Sequence, residues 1–202
     1  FRIINEVRQE ILENMPYKVI HIERCEADDI IGTLVHDTQE FGRHQKVMII
    51  SADKDFIQLH KYDNVRQYSP MQKKFVEHPN PRLYALEHVL KGDSGDGVPN
   101  VLSEDNVFVE GIRQTPVTQK KIDAILADLD DGELLYAASW YRNYQRNDTL
   151  INLANTPKEL KSEIINIFDG QDPWHKQGKM FPYFVQKRCK MLIECIEDFK
   201  NG

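Results

Sequence analysis

The spacing of apolar residues changes along the chain, from short strand-like runs near the beginning to helical repeats afterwards. The unbroken apolar run VMII predicts a parallel strand over 45–51 that is covered on both faces. A shorter run predicts an earlier strand over 17–22, and the apolar residues of 26–40 and 54–60 repeat at helical spacing. These elements predict a βαβ arrangement with parallel strands.

Two short runs, 64–69 and 73–77, flank the turn sequence SPMQ and predict a β-hairpin. Residues 92–106 are rich in Gly, Asp, Asn and Ser and predict a loop. Helical spacing predicts the remaining elements, at 82–91, 118–129, 132–147, 157–169 and 181–199. The order of elements therefore predicts an α/β sheet over 1–90 and a helical lobe over 91–202, packed as one continuous unit.

The chain begins with Phe1, and the apolar residues after it already follow helical spacing. The residues that carry this spacing are Ile3, Ile4, Val7, Ile11 and Leu12. We therefore expect the sequence to start inside or just before an amphipathic helix, and to be part of a longer protein.

Composition narrows the class of protein. With 202 residues, 41% of them hydrophobic, the chain can form one compact core. No apolar run reaches the roughly 18 residues needed to cross a bilayer, so a soluble, cytoplasmic protein is expected. The three cysteines, Cys25, Cys189 and Cys195, lack metal-ligand spacing and suit a reducing compartment. The net charge of −6 argues against a general nucleic-acid binder, but many acidic residues are clustered.

Carboxylates form three clusters, each of which also has an ordinary structural interpretation. The clusters are Glu26, Asp28 and Asp29 in EADD, Asp53 and Asp55 in SADKD, and Asp93 and Asp96 in GDSGDG. The first two would cap helices and the third would be a polar turn. A calcium-binding EF-hand loop is excluded for the third cluster, because Gly92 stands where that loop needs an acid.

Taken together, the three clusters favour a site for bound cations. The first two follow predicted parallel strands, whose carboxyl ends meet at the ligand-binding edge of an open α/β sheet. Two carboxylates about 4 Å apart repel by roughly 4 kcal/mol at an effective dielectric near 20, so converging acids require bound cations. Ligands without His or Cys favour Mg²⁺ or Mn²⁺. Two such ions about 3.5–4 Å apart are the usual device for phosphodiester cleavage.

The motifs EADDIIGTLV, ISADKDFIQL and KGDSGDGVPN resemble, in this order, the acidic motifs of the flap endonuclease, or 5′-nuclease, family. The family includes the 5′-nuclease domain of bacterial DNA polymerase I. The run ISADKDFIQLHKYDNVRQYSPMQKKFV is similar to its ribonuclease H branch in T-even-type bacteriophages. The resemblance covers nearly the whole chain, is sharpest from Glu26 to Asn100, and implies a parallel-sheet, PIN-like 5′-nuclease core truncated at its N-terminus.

The resemblance also implies roles for single residues. It assigns a first Mg²⁺ site to Glu26, Asp28 and Asp53, and a second to Asp55, Asp93 and Asp96, with Mn²⁺ able to replace Mg²⁺. The implied catalytic residues are Asp28, Asp53 and Asp55, with Asp29 as an outer-shell acid. Residues 92–100, including Gly97, would open an element that grips the duplex backbone.

The sequence departs from the family pattern in two ways. The continuation NVLSEDNVFVEG lacks the Gly-Ile-Gly hairpin and the following Lys that often extend the duplex-gripping element. The family also carries two further metal-site aspartates on earlier strands, and a basic arch between those strands and EADD. Both features would precede Phe1, so we expect part of the first metal site, the arch and some central strands to be missing.

Basic residues are candidate phosphate contacts, with solvated helix faces as the simpler interpretation. The best candidates are Lys120 and Lys121, which open the helix after the acidic loop. The other candidates are Lys73 and Lys74, Arg142 and Arg146, and Lys187, Arg188 and Lys190.

Two aromatic groups have alternative interpretations, and the seven histidines show no ligand pattern. Base stacking is one role for Trp140, Tyr141 and Tyr144. Core packing is the favoured role, because these residues lie at helical spacing with Leu134, Leu135 and Ala138. The run containing Met180, Phe181, Tyr183 and Phe184 either docks a sliding clamp or single-strand binding protein, or anchors a helix in the core.

The sequence thus predicts a monomeric, Mg²⁺-dependent 5′-nuclease, a 5′→3′ exonuclease or flap endonuclease, that removes RNA primers or flaps. Its substrates would be forked DNA and RNA–DNA duplexes. A non-catalytic DNA-binding fragment is one alternative, because part of the metal site is expected to be missing. A PIN-type ribonuclease is another, although the helical lobe and the third acidic motif argue against it.

Overall fold

The computed structural model describes residues 2–131 and 138–199. The described helices are α1 Arg2–Asn14, α2 Ala27–Gln39, α3 Pro81–Lys91, α4 Gln119–Asp131, α5 Tyr141–Ile151, α6 Lys158–Asp169, α7 Met180–Gln186 and α8 Lys190–Glu194. The described strands are β1 Val47–Ile50, β2 Val65–Ser69 and β3 Lys74–Val76. Short 3-10 segments lie at Glu40–Gly42, Asp55–Lys61, Leu153–Asn155, Trp174–Lys179 and Ile196–Phe199.

The residues group by their contacts into two compact units. One consists of Phe1–Cys25 with Glu159–Gly202, and the other of Glu26–Lys158. The boundary predicted near residue 90 lies inside the second unit and stays a prediction. The α/β core followed by helices is confirmed.

The sheet lies in the second unit and has the order β1-β2-β3. β1 pairs with β2 in parallel, with Val47 opposite Val65. β2 pairs with β3 in antiparallel orientation, with Ser69 opposite Lys74. The hairpin is therefore confirmed. The parallel pair differs from the predicted one, because β1 pairs with the first strand of the hairpin and not with a strand over 17–22.

The prediction that β1 is covered on both faces was wrong for the described residues. Ile49 is only 5% exposed, whereas its neighbours Met48 and Ile50 are 48% and 62% exposed. β1 is the edge strand of the described sheet, and its apolar residues border an open groove of about 250 Å³ beside α2. An unbroken apolar run therefore does not here mark a strand buried on both sides.

The core of this unit forms between α2, the sheet and the 3-10 segment after β1. Its buried members are Val35, Ile49, Phe56, Leu59, Val65 and Leu153. Leu153 packs against α2 at Gly32, where an added Cβ would lie 2.9 Å from the Leu153 Cβ. Only glycine allows this approach without a shift.

A second cluster joins α3 to α4 and the start of α5. Its buried residues are Leu90, Val101, Ile122, Ile125 and Trp140. Tyr141 and Tyr144 pack against it, which supports core packing for this aromatic group. Of the predicted helix 132–147, residues 132–137, with Leu134 and Leu135, lie outside the described residues, and α5 begins at Tyr141.

The strand predicted over 17–22 is absent: Tyr17 lies in a bend, and residues 18–22 adopt no regular secondary structure. The side chain of Gln171 takes the place of a partner. Its Oε1 accepts from the Val19 N–H at 2.9 Å, and its Nε2 donates to the Val19 carbonyl at 3.0 Å. One amide thus satisfies both backbone groups of Val19, in the middle of the segment that the sequence pattern assigned to a sheet.

The single helix predicted over 181–199 is also wrong. α7 ends at Gln186, and Arg188 adopts a left-handed φ of 56° that separates it from α8. Met180 and Phe184 are fully buried, which favours the anchoring role for this run, whereas Phe181 is half exposed. None of the helices within the described ranges is long and apolar enough to cross a membrane.

The close packing at Gly32 gives a test of the core. We expect Gly32→Ala to lower the free energy of unfolding by about 1–3 kcal/mol, because the new methyl group overpacks against Leu153. Urea unfolding measures this change. Gly178→Ala is the control, since nothing lies within 4 Å of its added Cβ, and it should change stability by less than about 0.5 kcal/mol. Equal effects of the two substitutions would contradict the packing argument.

Candidate metal centre

The first acidic segment is the start of α2. Glu26 is the N-cap, and its backbone N–H donates to Asp29 Oδ2 at 3.3 Å within a capping box. Asp29 Oδ1 accepts a hydrogen bond from Thr156 Oγ1 at 3.0 Å. Both oxygens of Asp29 are thus engaged by the protein, whereas Asp28 lies in the same turn without such a bond within the described residues.

The second acidic segment follows β1 directly. The Asp55 N–H donates to Asp53 Oδ1 at 3.0 Å, so Asp53 closes a turn just before the 3-10 segment, whose N-cap residue is Lys54. The fully buried Gln67 holds the turn from β2. Its Nε2 donates to the carbonyls of Ser51 and Asp53, at 2.9 and 2.5 Å.

The third acidic segment is a tight loop after α3, closed by a bridge between Asp93 and Val98. It leaves the helix through Gly92, whose φ is 69° and whose added Cβ would lie 2.4 Å from the Val98 carbonyl oxygen. Asp93 Oδ1 accepts from the N–H groups of Gly95 at 2.7 Å and Asp96 at 3.3 Å. The loop thus fixes Asp93 Oδ1, and the other oxygen, Oδ2, faces His88.

His88 joins the second and third segments. α3 begins with an Asn80 cap and Pro81, and its last turn places the half-buried His88 between two carboxylates. Nδ1 lies 3.4 Å from Asp55 Oδ1, and Nε2 lies 3.3 Å from Asp93 Oδ2. The three side chains offer ligand atoms that all lie within 4.8 Å of one another.

Sequence reasoning missed His88. The available signal was a histidine in the last turn of a predicted helix, directly before an acidic loop. That signal is weak, because the contact with Asp55 crosses between segments that are distant in the chain. The expected carboxylate-only site therefore contains an imidazole among its candidate ligands.

The pKa shifts show that the acids of the three segments repel one another, which we call the shared field. Burial, followed by repulsion from Asp53 and Asp55, raises the pKa of Asp28 to about 6. Burial also raises the pKa of Asp55, and repulsion from Asp53, Asp93 and Asp96 adds to this shift, although the charge of His88 opposes it. The structure therefore brings together Asp28, Asp53, Asp55, Asp93 and Asp96, and Glu26 acts on Asp28 from the same side.

Two further groups respond to this field in different ways. Burial raises the pKa of Tyr84, and the carboxylates of Asp55, Asp53 and Asp93 add to the shift. Burial also acts to raise the pKa of Asp93, but hydrogen bonds from Gly95, Asp96 and His88 outweigh it and leave that pKa lowered. Asp93 is thus held ionised while Asp28 and Asp55 resist ionisation.

The donor set fits a divalent cation. It consists of carboxylate oxygens and one imidazole nitrogen, and hard divalent ions prefer such oxygens. Burial, and after it repulsion from neighbouring carboxylates, raises the pKa values of Asp28 and Asp55, and a bound cation would favour their ionised forms. The residues present can therefore hold a metal ion.

The residues predicted to contact nucleic acid are basic residues and one glycine. Lys120 and Lys121 are exposed in the first turn of α4, and Lys121 Nζ donates to the Pro116 carbonyl at 3.0 Å. Gly97 has a φ of 75° and open space around it. Arg142 and Arg146 both pair with Asp105, and Lys187 pairs with Glu10, so these three cations are engaged in ion pairs.

Comparisons with known proteins give the following matches. The family model described as "T4 RNase H, C terminal" matches residues 80–199, and the model "5'-3' exonuclease, N-terminal resolvase-like domain" matches residues 3–88. Ribonuclease H of Enterobacteria phage T4 is 34% identical over 204 residues, covering 98% of this chain and 66% of the phage protein.

Two further proteins match over shorter stretches or more distantly. The 5'-3' exonuclease of Buchnera aphidicola subsp. Schizaphis graminum (strain Sg) is 35% identical over 102 residues, 46% of this chain and 34% of the exonuclease. The structure of the T5 D15 protein, co-crystallised with metal ions, matches 74% of this chain and 61% of its own, with a TM-score of 0.47 and 19% identity.

An α/β core that gathers carboxylates from separate segments is typical of metal-dependent nucleases. The chain belongs to the 5′-nuclease family that includes T4 ribonuclease H. It spans about two thirds of the length of the phage protein and about one third of the Buchnera exonuclease.

The raised pKa of Asp28 predicts a pH-dependent effect of removing its charge. A folded-state pKa of about 6 lies above the unfolded value near 4, so Asp28 stabilises the fold at low pH and loses this contribution as pH rises to about 6. Without divalent ions, Asp28→Asn should match the wild type at about pH 3.5, below the unfolded pKa. Near pH 7.5 it should be more stable by on the order of 1 kcal/mol, a value reduced for solvent screening.

Urea unfolding in chelator at the two pH values measures this difference. Glu163→Gln, on the exposed face of α6, is the control and should show no such pH dependence. Adding Mg²⁺ should raise the melting temperature of the wild type more than that of Asp28→Asn, because a ligand of the folded state stabilises it. A stability difference that stays constant between the two pH values would contradict the shared field.

Proposed function

We propose that the protein is a Mg²⁺-dependent, structure-specific 5′-nuclease that removes RNA primers or 5′ flaps during DNA replication. The observation that carries this proposal is the convergence of carboxylates from three segments around His88, in a chain of the 5′-nuclease family. Its named relatives are a ribonuclease H and 5'-3' exonucleases, which supports hydrolysis of phosphodiester bonds.

The proposed ligands divide into two sets. Glu26, Asp28 and Asp53 would hold a first Mg²⁺, and Asp55, Asp93 and Asp96 a second, with Mn²⁺ as a substitute. Ions bound there supply an activated water and neutralise charge on the phosphate. Asp28, Asp53 and Asp55 are the proposed catalytic residues, because they meet in the shared field where the phosphate would bind.

Residues around the centre would keep these ligands in place. Asp29 is proposed to act outside the ligand set, and its hydrogen bonds to Glu26 and Thr156 support this role. His88 would hold Asp55 and Asp93 at a fixed separation, or become a ligand itself. Either role keeps the second and third segments together.

The proposed substrates are forked or flapped DNA and RNA–DNA duplexes in the cytoplasm of the host cell. The exposed side chains of Lys120 and Lys121 are proposed to contact backbone phosphates, and the open backbone at Gly97 would allow close approach of the duplex. A sliding clamp or single-strand binding protein is a proposed partner, for which the exposed Phe181 and Val185 of α7 are the available apolar contacts.

Cleavage of labelled substrates tests the proposed function. The purified protein would be incubated with a 5′-flap duplex, an RNA-primed duplex and free single-stranded RNA, in Mg²⁺ or in chelator. We expect Mg²⁺-dependent cleavage of the two duplexes near their 5′ ends. Asp53→Asn should reduce this cleavage at least about a hundredfold, since changes around metal ligands alone often reach that size.

Asp63→Asn is the matched control, because Asp63 is an exposed acid on the same part of the chain but outside the centre. It should retain activity within about twofold. Equal cleavage of free RNA would favour a PIN-type ribonuclease. Duplex binding without cleavage, unchanged in Asp53→Asn, would indicate a non-catalytic binding protein.

A further inference from the structure

One continuous stretch of the chain, residues 146–156, is hydrogen-bonded or packed against all three acidic segments. It comprises the end of α5 and the turn that follows. We propose that this stretch, here named the brace, sets the separation of the three acidic segments and thereby the affinity of the centre for divalent ions. Within it, Asn147 and Thr156 are positioning residues. The inference rests on the proposed function.

The brace holds the third segment through Asn147, which is fully buried. Asn147 Nδ2 donates to the carbonyl of Val89, next to His88, and to the carbonyl of Pro99, both at 2.8 Å. Arg146 Nη2 donates to the same Pro99 carbonyl at 2.9 Å. One amide therefore joins the last turn of α3 to the far end of the acidic loop, so His88 and Asp93 cannot separate without breaking it.

The brace holds the second segment through Gln58, which is buried in the 3-10 turn that begins at Asp55. Gln58 Nε2 donates to the Ile151 carbonyl at 3.1 Å, and Gln58 Oε1 accepts from the Leu153 N–H at 3.0 Å. This pair of bonds resembles the pairing of two strands. It fixes the turn that carries Asp55 to the backbone that follows α5.

The brace holds the first segment at two points on α2. Thr156, which is 6% exposed, donates from Oγ1 to Asp29 Oδ1 at 3.0 Å. Leu153 packs so closely on Gly32 that no Cβ fits between them. The turn that carries Asp28 is therefore fixed both at its start and one turn further along.

The chemistry of the brace suits a metal site. The carboxylates repel one another, so something must oppose their separation when no cation is bound. A lysine or arginine would do this by neutralising the charge, but it would also compete with the metal ion. The groups that contact the acidic segments from the brace are amide, hydroxyl, backbone and aliphatic, apart from Arg146, whose charge is paired with Asp105. The brace can therefore hold the carboxylate ligands at metal-binding distance without neutralising their negative charge.

Direct Mn²⁺ binding tests the proposal without relying on catalysis. Free Mn²⁺ would be followed by electron paramagnetic resonance during titration of the purified protein. Because Asn147→Ala would open a cavity and leave two carbonyls unpaired, we choose the volume-preserving Thr156→Val and Gln58→Met. Gln58→Met still leaves the Ile151 carbonyl and the Leu153 N–H unpaired, so its melting temperature is measured to show that it folds. We expect each to weaken Mn²⁺ binding roughly tenfold, the range seen when groups that orient metal ligands are changed.

Two controls separate positioning from general stability. Thr156→Ser keeps the hydroxyl group and should bind Mn²⁺ within about twofold of the wild type. Ile125→Val lowers stability through the second core cluster, by an amount checked from its melting temperature, and should leave Mn²⁺ affinity unchanged. In cleavage assays, Thr156→Val should lower kcat at subsaturating Mn²⁺ and leave KM for the duplex unchanged.

The outcomes distinguish failure of the brace from failure of the proposed nuclease function. Wild-type affinity in both Thr156→Val and Gln58→Met, or an equal loss in Ile125→Val, would overturn the brace and leave the proposed nuclease intact. A wild-type protein that binds no Mn²⁺ would overturn the metal-dependent function and the brace with it. Weaker binding in the two brace variants alone supports the proposal.

Discussion

Repulsion between carboxylates is the constraint on which this structure depends. Burial raises the pKa values of Asp28 and Asp55, and repulsion among acids from the start of α2, the turn after β1 and the loop after α3 adds to these shifts. A fold that tolerates such a group must hold it together by other means. In the described residues, His88 and a set of buried neutral hydrogen-bonding groups hold the carboxylates together. A divalent ion would neutralise their remaining negative charge.

The buried amides show how this fold replaces regular backbone pairing. Gln67, Gln58 and Asn147 each bond to backbone groups of another segment, and all three have little or no exposed surface. Each therefore fixes a turn or loop that no strand ladder reaches. Gln171 does the same for the backbone at Val19. Loops held in this way keep their position without a charged group from the buried amide.

The sequence predicted what depends on local pattern. The acidic segments, the hairpin and most helices follow from spacing and turn residues near each other in the chain. What it could not predict depends on distant partners. His88 meets Asp55 only in the folded protein, the strand expected at 17–22 is satisfied by one glutamine side chain, and the outer face of β1 stays open because it forms the edge of the described sheet.

The position of residues 146–156 in the chain has a consequence for synthesis. Every acidic segment leaves the ribosome before them, and at about 5–20 residues per second the delay after the last acid is on the order of several seconds. During that time the hydrogen bonds from Asn147, Ile151, Leu153 and Thr156 to the acidic segments and to Gln58 cannot form. The contacts that join all three acidic segments to one stretch of chain therefore become available only after every proposed ligand has been made.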